Sequence, residues 1–243
     1  MAQNVYDDTD FFAGYAQLAR SLQGLDGAPE WPSMRAMLPG LRGGRVLDLD
    51  CGYGWFCRFA LGQGAARVTG IDISKKMLAR AAELTPGAGV EYRRADLETL
   101  SLPLESFDLV YSSLVLHYVV NLDALLKTVR RTLSPGGSLV FSVEHPIVTA
   151  HENAAWIKDE KGLPCWPVSR YHDHGSRSVS WIVDGVVKQH RTMEAYINRL
   201  IRFGFTLTRL EEWQPTDAQI AGCPGLTKER ERPMFLLVSA LLG

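Results

Sequence analysis

The sequence predicts a doubly wound α/β fold: a seven-stranded, mostly parallel sheet with helices on both faces. Three observations point there. Short β-type runs alternate with helical patterns through the middle of the chain, glycines directly follow the first of those runs, and the 243 residues have ordinary globular composition, 46% hydrophobic and 22% charged. That length favours one domain over residues 1–243.

Residues 1–40 read as an N-terminal lid segment, with a helix from Thr9 to Ser21 and then a Gly/Pro-containing approach. Residues 41–143 carry the ligand-binding core. Its first strand is Arg45 to Leu49, and a short helix follows from Trp55 to about Leu61. Val68 to Asp72 is the second strand, and Ser74 supplies the N-cap of a helix that runs to Leu84, where Thr85-Pro86-Gly87 ends it. Val90 to Arg94 and Phe107 to Ser112 are the third and fourth strands. Leu122, Leu125, Leu126, Val129 and Leu133 recur at helical spacing, so 121–133 is amphipathic helix. Ser134-Pro135-Gly136-Gly137 stops it before a fifth strand, Ser138 to Val143.

Residues 144–191 then break the alternation. Inside this insert, Val179 to Val183 and Val186 to His190 flank Asp184-Gly185, the signal for a hairpin with a type I′ turn. In the last part, 192–243, Thr192 caps a helix with Met193, Tyr196, Ile197, Leu200 and Ile201 on one face and Gly204 beyond its end. Phe205 to Trp213 and Met234 to Leu242 complete the seven strands. Ligands in open α/β sheets bind beyond the carboxyl ends of the strands, so the N-terminal segment and the insert are both expected as lids.

A formal net charge of −1 argues against a dedicated duplex-nucleic-acid binder or a polybasic membrane protein. The longest strongly apolar run, Met234 to Leu242, is far shorter than the ~20 residues of a membrane span. Met1 to Asp10 has three aspartates and no apolar h-region, so no signal peptide is expected. Cys51, Cys57, Cys165 and Cys223 lack CxxC spacing and read as reduced thiols. A cytoplasmic protein without a nucleic-acid or membrane partner is the expectation; nothing in the sequence fixes an oligomeric state.

The first strand runs into Asp48-Leu49-Asp50-Cys51-Gly52-Tyr53-Gly54, where glycines allow a ligand to approach the backbone. The second strand ends in Asp72, where a carboxylate can meet a ribose diol. Asp96 follows strand three, Phe107-Asp108-Leu109-Val110 opens strand four, and Leu133-Ser134-Pro135-Gly136-Gly137 precedes strand five. In this order and spacing the set resembles the class I S-adenosylmethionine-dependent methyltransferases, with a Rossmann-like fold, and most of all their small bacterial branch that acts on small molecules. The likeness is close from about Val46 to Val143.

That resemblance implies S-adenosylmethionine as cofactor and S-adenosylhomocysteine as its product. It places Gly52, Gly54 and the intervening loop, with Cys51, under the methionine part and gives Asp48 a supporting role. It assigns Asp72 to the ribose hydroxyls, Ile73 and Met77 to the surroundings of the adenine, Asp96 to its exocyclic amine and Leu97 to its ring. Ser112 and Ser113 fall at the methionine end, while Tyr15 and Arg20 belong to the segment that closes over the cofactor, Arg20 toward its carboxylate. One residue departs from the pattern: Asp50 stands where the family usually has glycine. A side chain there crowds the amino-acid moiety, yet its negative charge suits a ligand that carries an ammonium and a sulfonium. A nicotinamide cofactor is disfavoured, because Cys57 occupies the third fingerprint position and Asp50 would oppose phosphates.

Methyl transfer draws its reactivity from the cofactor, so the protein mainly aligns donor and acceptor. His117, His145 and Glu144, in loops after strands four and five, are the candidates for a base. Each also has a plain alternative, satisfying loop backbone groups or lining the cofactor pocket. Arg170, Tyr171 and Arg191 are the candidate acceptor contacts in the insert, and Trp156, Trp166 and Trp181 either line an apolar pocket or pack the insert. His172, His174 and His190 lack metal-ligand spacing, so no metal is expected. The activity implied is transfer of a methyl group to O, N or C of a small molecule. The alternatives are a catalytically impaired binder of the same fold, because of Asp50, and an RNA or protein methyltransferase.

Overall fold

The computed structural model describes residues 3–87, 89–152 and 155–243. The N-terminal segment enters as two helices, α1 (Thr9–Tyr15) and α2 (Ala19–Leu22), rather than the single helix expected over 9–21. Leu18 is extended, with ψ 146°, and the Ser21 hydroxyl donates to Tyr15 O at 2.6 Å, folding α2 back on α1. Helix α3 (Trp31–Ala36), not anticipated, leads into β1 (Arg45–Leu49). The alternation then continues through α4 (Trp55–Gly62), β2 (Arg67–Asp72), α5 (Lys75–Leu84), β3 (Val90–Arg94), β4 (Phe107–Ser113), α6 (Leu122–Thr132) and β5 (Leu133–Glu144). Helix starts carry the caps read from the sequence. The Ser74 hydroxyl accepts from Met77 N–H at 3.1 Å, and Thr192 caps its helix in the same way; Asn121, for which no cap was read, also caps α6.

Beyond β5 come α7 (Pro146–Thr149), the short pair β6 (Ile157–Lys158) and β7 (Pro164–Cys165), and the hairpin β8 (Gly175–Trp181) and β9 (Val183–His190). The hairpin turn is not at Asp184-Gly185. Trp181 pairs with Val183, so the chain reverses at Ile182, whose φ is 64°. Gly185, at φ 81°, lies inside β9, where the register shifts between Val179 and Trp181; glycine here serves a bulge rather than a turn. Helix α8 (Met193–Arg202), β10 (Phe205–Glu212), α9 (Asp217–Gly222) and β11 (Phe235–Leu242) complete the chain.

The seven strands order as β10-β11-β5-β4-β1-β2-β3, and only β11 runs against the others. Because parallel strands are covered on both faces, alternate residues feed two cores. Leu47, Leu49, Val110 and Phe141 pack beneath the leucine stripe of α6 and against Tyr196 and Leu200 of α8. Val46, Leu109, Tyr111 and Val140 pack on the other side with Trp31 and Met34 of α3 and Phe56 and Ala60 of α4. Among the described residues no helix is long and apolar enough to cross a membrane. All four cysteines are free.

Candidate active site

The parallel register pairs Leu49 with both Ile71 and Ser112, so β1, β2 and β4 end level with one another. The chain leaves β1 through Asp50 at φ 62°. Aspartate is among the few non-glycine residues that tolerate this left-handed conformation, so the loop keeps the path that glycine would give it, with Cys51 N–H donating to Ile71 O at 2.8 Å. Gly52, at φ 53°, has nothing near the place where a Cβ would stand, and its bare backbone borders an open cleft. Gly54 is glycine for a different reason. Its φ is 70°, and a Cβ would lie 2.0 Å from the Tyr92 hydroxyl. Gly54 backs the loop and does not line the cleft.

Three compartments meet at Asp50. The first is bordered by Tyr15, Arg20, Glu30, Asp48, Cys51 and Gly52. The second is bordered by Tyr6, Ile73, Asp96 and Leu97. The third is bordered by Asp72, Met77, Ser113, His117, Tyr118 and Glu144. The structure thus brings together most of the cofactor residues expected from the sequence. Ser112 is an exception: it is fully buried on the opposite face of β4 from Ser113, and its hydroxyl has no partner.

Carboxyl groups are concentrated here. Asp72 accepts from Gly52 N–H at 2.9 Å and from Ser74 N–H at 2.7 Å, which ties the glycine loop to the end of β2. Burial pushes Asp72 up to about 6 and Asp48 up to about 7. Burial, with the charges of Asp72 and Asp48 added, holds the Asp50 carboxyl well above the usual carboxylate range. None of the ion pairs among the described residues includes Asp48, Asp50 or Asp72. Arg20 faces the same space, but its guanidinium is engaged with buried Glu30 at 3.1 Å.

At the far wall, the Lys188 ammonium donates to Glu144 at 2.6 Å. Burial alone would raise the Glu144 carboxyl, but Lys188, with His117, outweighs it and holds the group below its ordinary value. His117 is buried and accepts from Glu144 N–H at 3.4 Å through Nδ1. Burial lowers it to about 4, so the ring is neutral at pH 7. Glu144 and Trp181 line both this compartment and a further cavity under the hairpin, with Thr149, Trp166, Arg177 and Lys188 in its wall.

Four sequence-derived candidates do other work. His145 lines no compartment; its Nδ1 accepts from Ile147 N–H at 3.2 Å to cap α7, and its Nε2 bonds Glu212 at 3.0 Å. Arg170 is exposed and paired with Asp173. Tyr171 accepts from His190 Nε2 through its carbonyl and from Met193 N–H through its hydroxyl, which seats the insert on α8. Arg191 is buried, with its guanidinium donating to the carbonyls of Leu116, Val119 and Val120, and so it braces the loop that carries His117.

The N-terminal segment and the insert touch each other. The Gln3 side chain bonds Gly185 O and Val187 N–H, each at 2.9 Å, and Trp181 stands edge-on to Phe11 at 5.5 Å between centroids. Asp7 anchors the N-terminal segment by accepting from the Ser74 hydroxyl at 2.6 Å and from Lys76 N–H at 3.1 Å. Sequence reasoning missed Tyr6, Glu30, Tyr118 and Lys188. Tyr6 and Glu30 belong to a segment without a motif, and a buried lysine in a strand carries no local signal.

A methyltransferase domain family matches residues 47–141. An S-adenosylmethionine-dependent methyltransferase from Mesorhizobium loti is 54% identical over 90% of this chain and all of its own, and the two structures agree with a TM-score of 0.87. The chain belongs to the class I S-adenosylmethionine-dependent methyltransferases. Two named enzymes are also similar. Malonyl-[acyl-carrier protein] O-methyltransferase of Enterobacter lignolyticus is 37% identical over 45% of this chain and 43% of its own. tRNA U34 carboxymethyltransferase of Hahella chejuensis is 35% identical over 77% and 55%. The chain thus spans about half the length of these two relatives.

The cofactor of this methyltransferase is S-adenosylmethionine. The residues suit it. The bare Gly52 backbone leaves room for a ligand, and three carboxyl groups without a cationic partner suit a molecule that carries a sulfonium and an ammonium.

Proposed function

We propose that this methyltransferase acts on a small molecule, taken up in the cavity under the hairpin and presented to the donor past Glu144 and Trp181. The observation that carries this reading is the sharing of those two residues between the donor cleft and the cavity. In this reading Gly52 and Cys51 cradle the methionine part of the cofactor, Asp72 faces the ribose, and Ile73, Asp96 and Leu97 hold the adenine. S-adenosylmethionine supplies an electrophilic methyl group on sulfur. The protein orients an O, N or C acceptor against it, and the lids exclude water.

Glu144 is the base for an acceptor that must lose a proton, since Lys188 keeps it ionised at neutral pH. Neutral His117 positions Glu144 through its backbone. The left-handed conformation of Asp50 supports an active enzyme over an impaired binder, because it is one that glycine also adopts and Cys51 N–H still reaches Ile71 O.

The name of the tRNA relative raises RNA as an acceptor. Against it, the two cations lining the cavity are committed, Lys188 to Glu144 and Arg177 to the carbonyls of Ala150, Asp173 and Ser176, so neither is available for phosphates. The test is incubation of the protein with methyl-labelled S-adenosylmethionine and fractionated bacterial extract. Label in the small-molecule fraction, reduced on the order of 10²-fold by Glu144→Gln with cofactor affinity intact, supports the reading. Label confined to RNA or protein refutes it.

A further inference from the structure

Asp50 is the one side chain common to all three compartments of the donor cleft. It stands where glycine is expected and takes a left-handed conformation, φ 62°, that glycine also adopts, so what the substitution adds is a carboxyl group. That group lies within hydrogen-bond reach of Asp72 and close to Asp48, and the described residues form no ion pair with any of the three. The other charged and titratable groups facing this space leave it without a protein cation. Arg20 is taken by Glu30 and Lys188 by Glu144, while Tyr6, Tyr15, Tyr118 and His117 are neutral. Without a cation such a cluster holds protons, and a bound cation favours its ionised form.

The donor and its demethylated product differ by one methyl group and one positive charge. We propose that Asp50 makes this site discriminate by charge, favouring the sulfonium-bearing S-adenosylmethionine over S-adenosylhomocysteine and so promoting product release. A carboxylate in a partly shielded cleft distinguishes a charged sulfur from a neutral one, whereas glycine there has no such preference. The inference rests on use of this cofactor, and the experiment separates the two.

The test is calorimetric titration of wild type and Asp50→Asn with each ligand. Asparagine keeps the shape and tolerates the same left-handed backbone, so the change removes charge alone. The ratio of the homocysteine-form Kd to the methionine-form Kd should fall about tenfold in the variant, because both ligands lose the attraction of Asp50 for the ammonium they share and only S-adenosylmethionine also loses its attraction for the sulfonium. Equal changes for both ligands overturn the proposal. A second measurement needs no variant. Titration of the wild type near pH 6.5 in buffers of different ionisation enthalpy should show more protons released by S-adenosylmethionine than by its product, because the cation ionises the shared carboxyl groups. Equal release also overturns it. If neither ligand binds the wild type, the cofactor reading fails and takes this inference with it.

Discussion

Lys188→Met isolates what the Glu144–Lys188 pair contributes. Lys188 is 6% exposed and the Glu144 side chain 21%, with 2.6 Å between ammonium and carboxylate. Removing one partner of a fully buried pair costs about 3–5 kcal/mol. Partial hydration of Glu144 reduces this to about 2–4 kcal/mol. At this chain length, a loss of about 3 kcal/mol lowers Tm by about 6–12 °C.

The loss should depend on pH in a definite direction. In the wild type the Glu144 carboxyl is held below its ordinary value, so its contribution is present above the unfolded pKa and vanishes as pH falls through the lower folded value. In the variant, burial acts unopposed and raises the carboxyl, so the penalty is largest at neutral pH and shrinks as acid neutralises the group. Thermal melts of both proteins between pH 4.5 and 7.5 should therefore converge on the acid side. The acid limb of kcat/KM should also move to higher pH in the variant. A stability gap that stays constant over this range would show that Lys188 acts through its packing on Trp181, whose ring centroid is 5.3 Å away, and would refute the charge argument.

The two glycines of the loop should respond differently. Gly52→Ala should lower stability by about 1–2 kcal/mol for its left-handed backbone and weaken S-adenosylmethionine binding in calorimetry. Gly54→Ala should cost more stability, because the new Cβ meets Tyr92. His145→Ala should destabilise by about 1 kcal/mol through loss of the α7 cap while methyl-transfer rate is retained; a loss of rate without a loss of stability would return His145 to the chemistry. Asp7→Ala removes acceptors for Ser74 and Lys76 N–H at the start of α5, costing about 0.5–2 kcal/mol, and should speed proteolysis of the N-terminal segment.

The strands and helices of the core were legible because their signals are local. Ser74 and Thr192 cap the helices they were expected to cap, and Leu122, Leu125, Leu126 and Val129 became the buried stripe of α6, while Leu133 begins β5. The grouping of residues at the cleft was readable for a related reason: β1 and β2 place Asp48, Asp50, Gly52 and Asp72 by register, which sequence order encodes. What failed was the reading of side-chain direction. Ser112 and Ser113 are adjacent in sequence but face opposite sides of β4, and nothing local said which of them met the cleft. The insert was harder still. Arg170, Tyr171 and Arg191 have the chemistry of ligand contacts, yet Asp173, α8 and the loop carbonyls claim them through tertiary contacts. Asp184-Gly185 failed because the bulge, rather than the turn, took the glycine.

The strand order has a consequence during synthesis. β11 follows β10 in the chain, yet it sits inside the sheet, between β10 and β5. While the ribosome is still translating residues beyond Glu144, β1 to β5 can pair in the order in which they emerge, but the outer edge of β5 has no neighbour until Phe235–Leu242 has left the exit tunnel. For that interval the nascent chain presents an apolar, unpaired strand, the kind of edge that recruits other chains. Slowed or prematurely ended translation past β5 should therefore yield aggregate and chaperone-bound material rather than a smaller soluble enzyme.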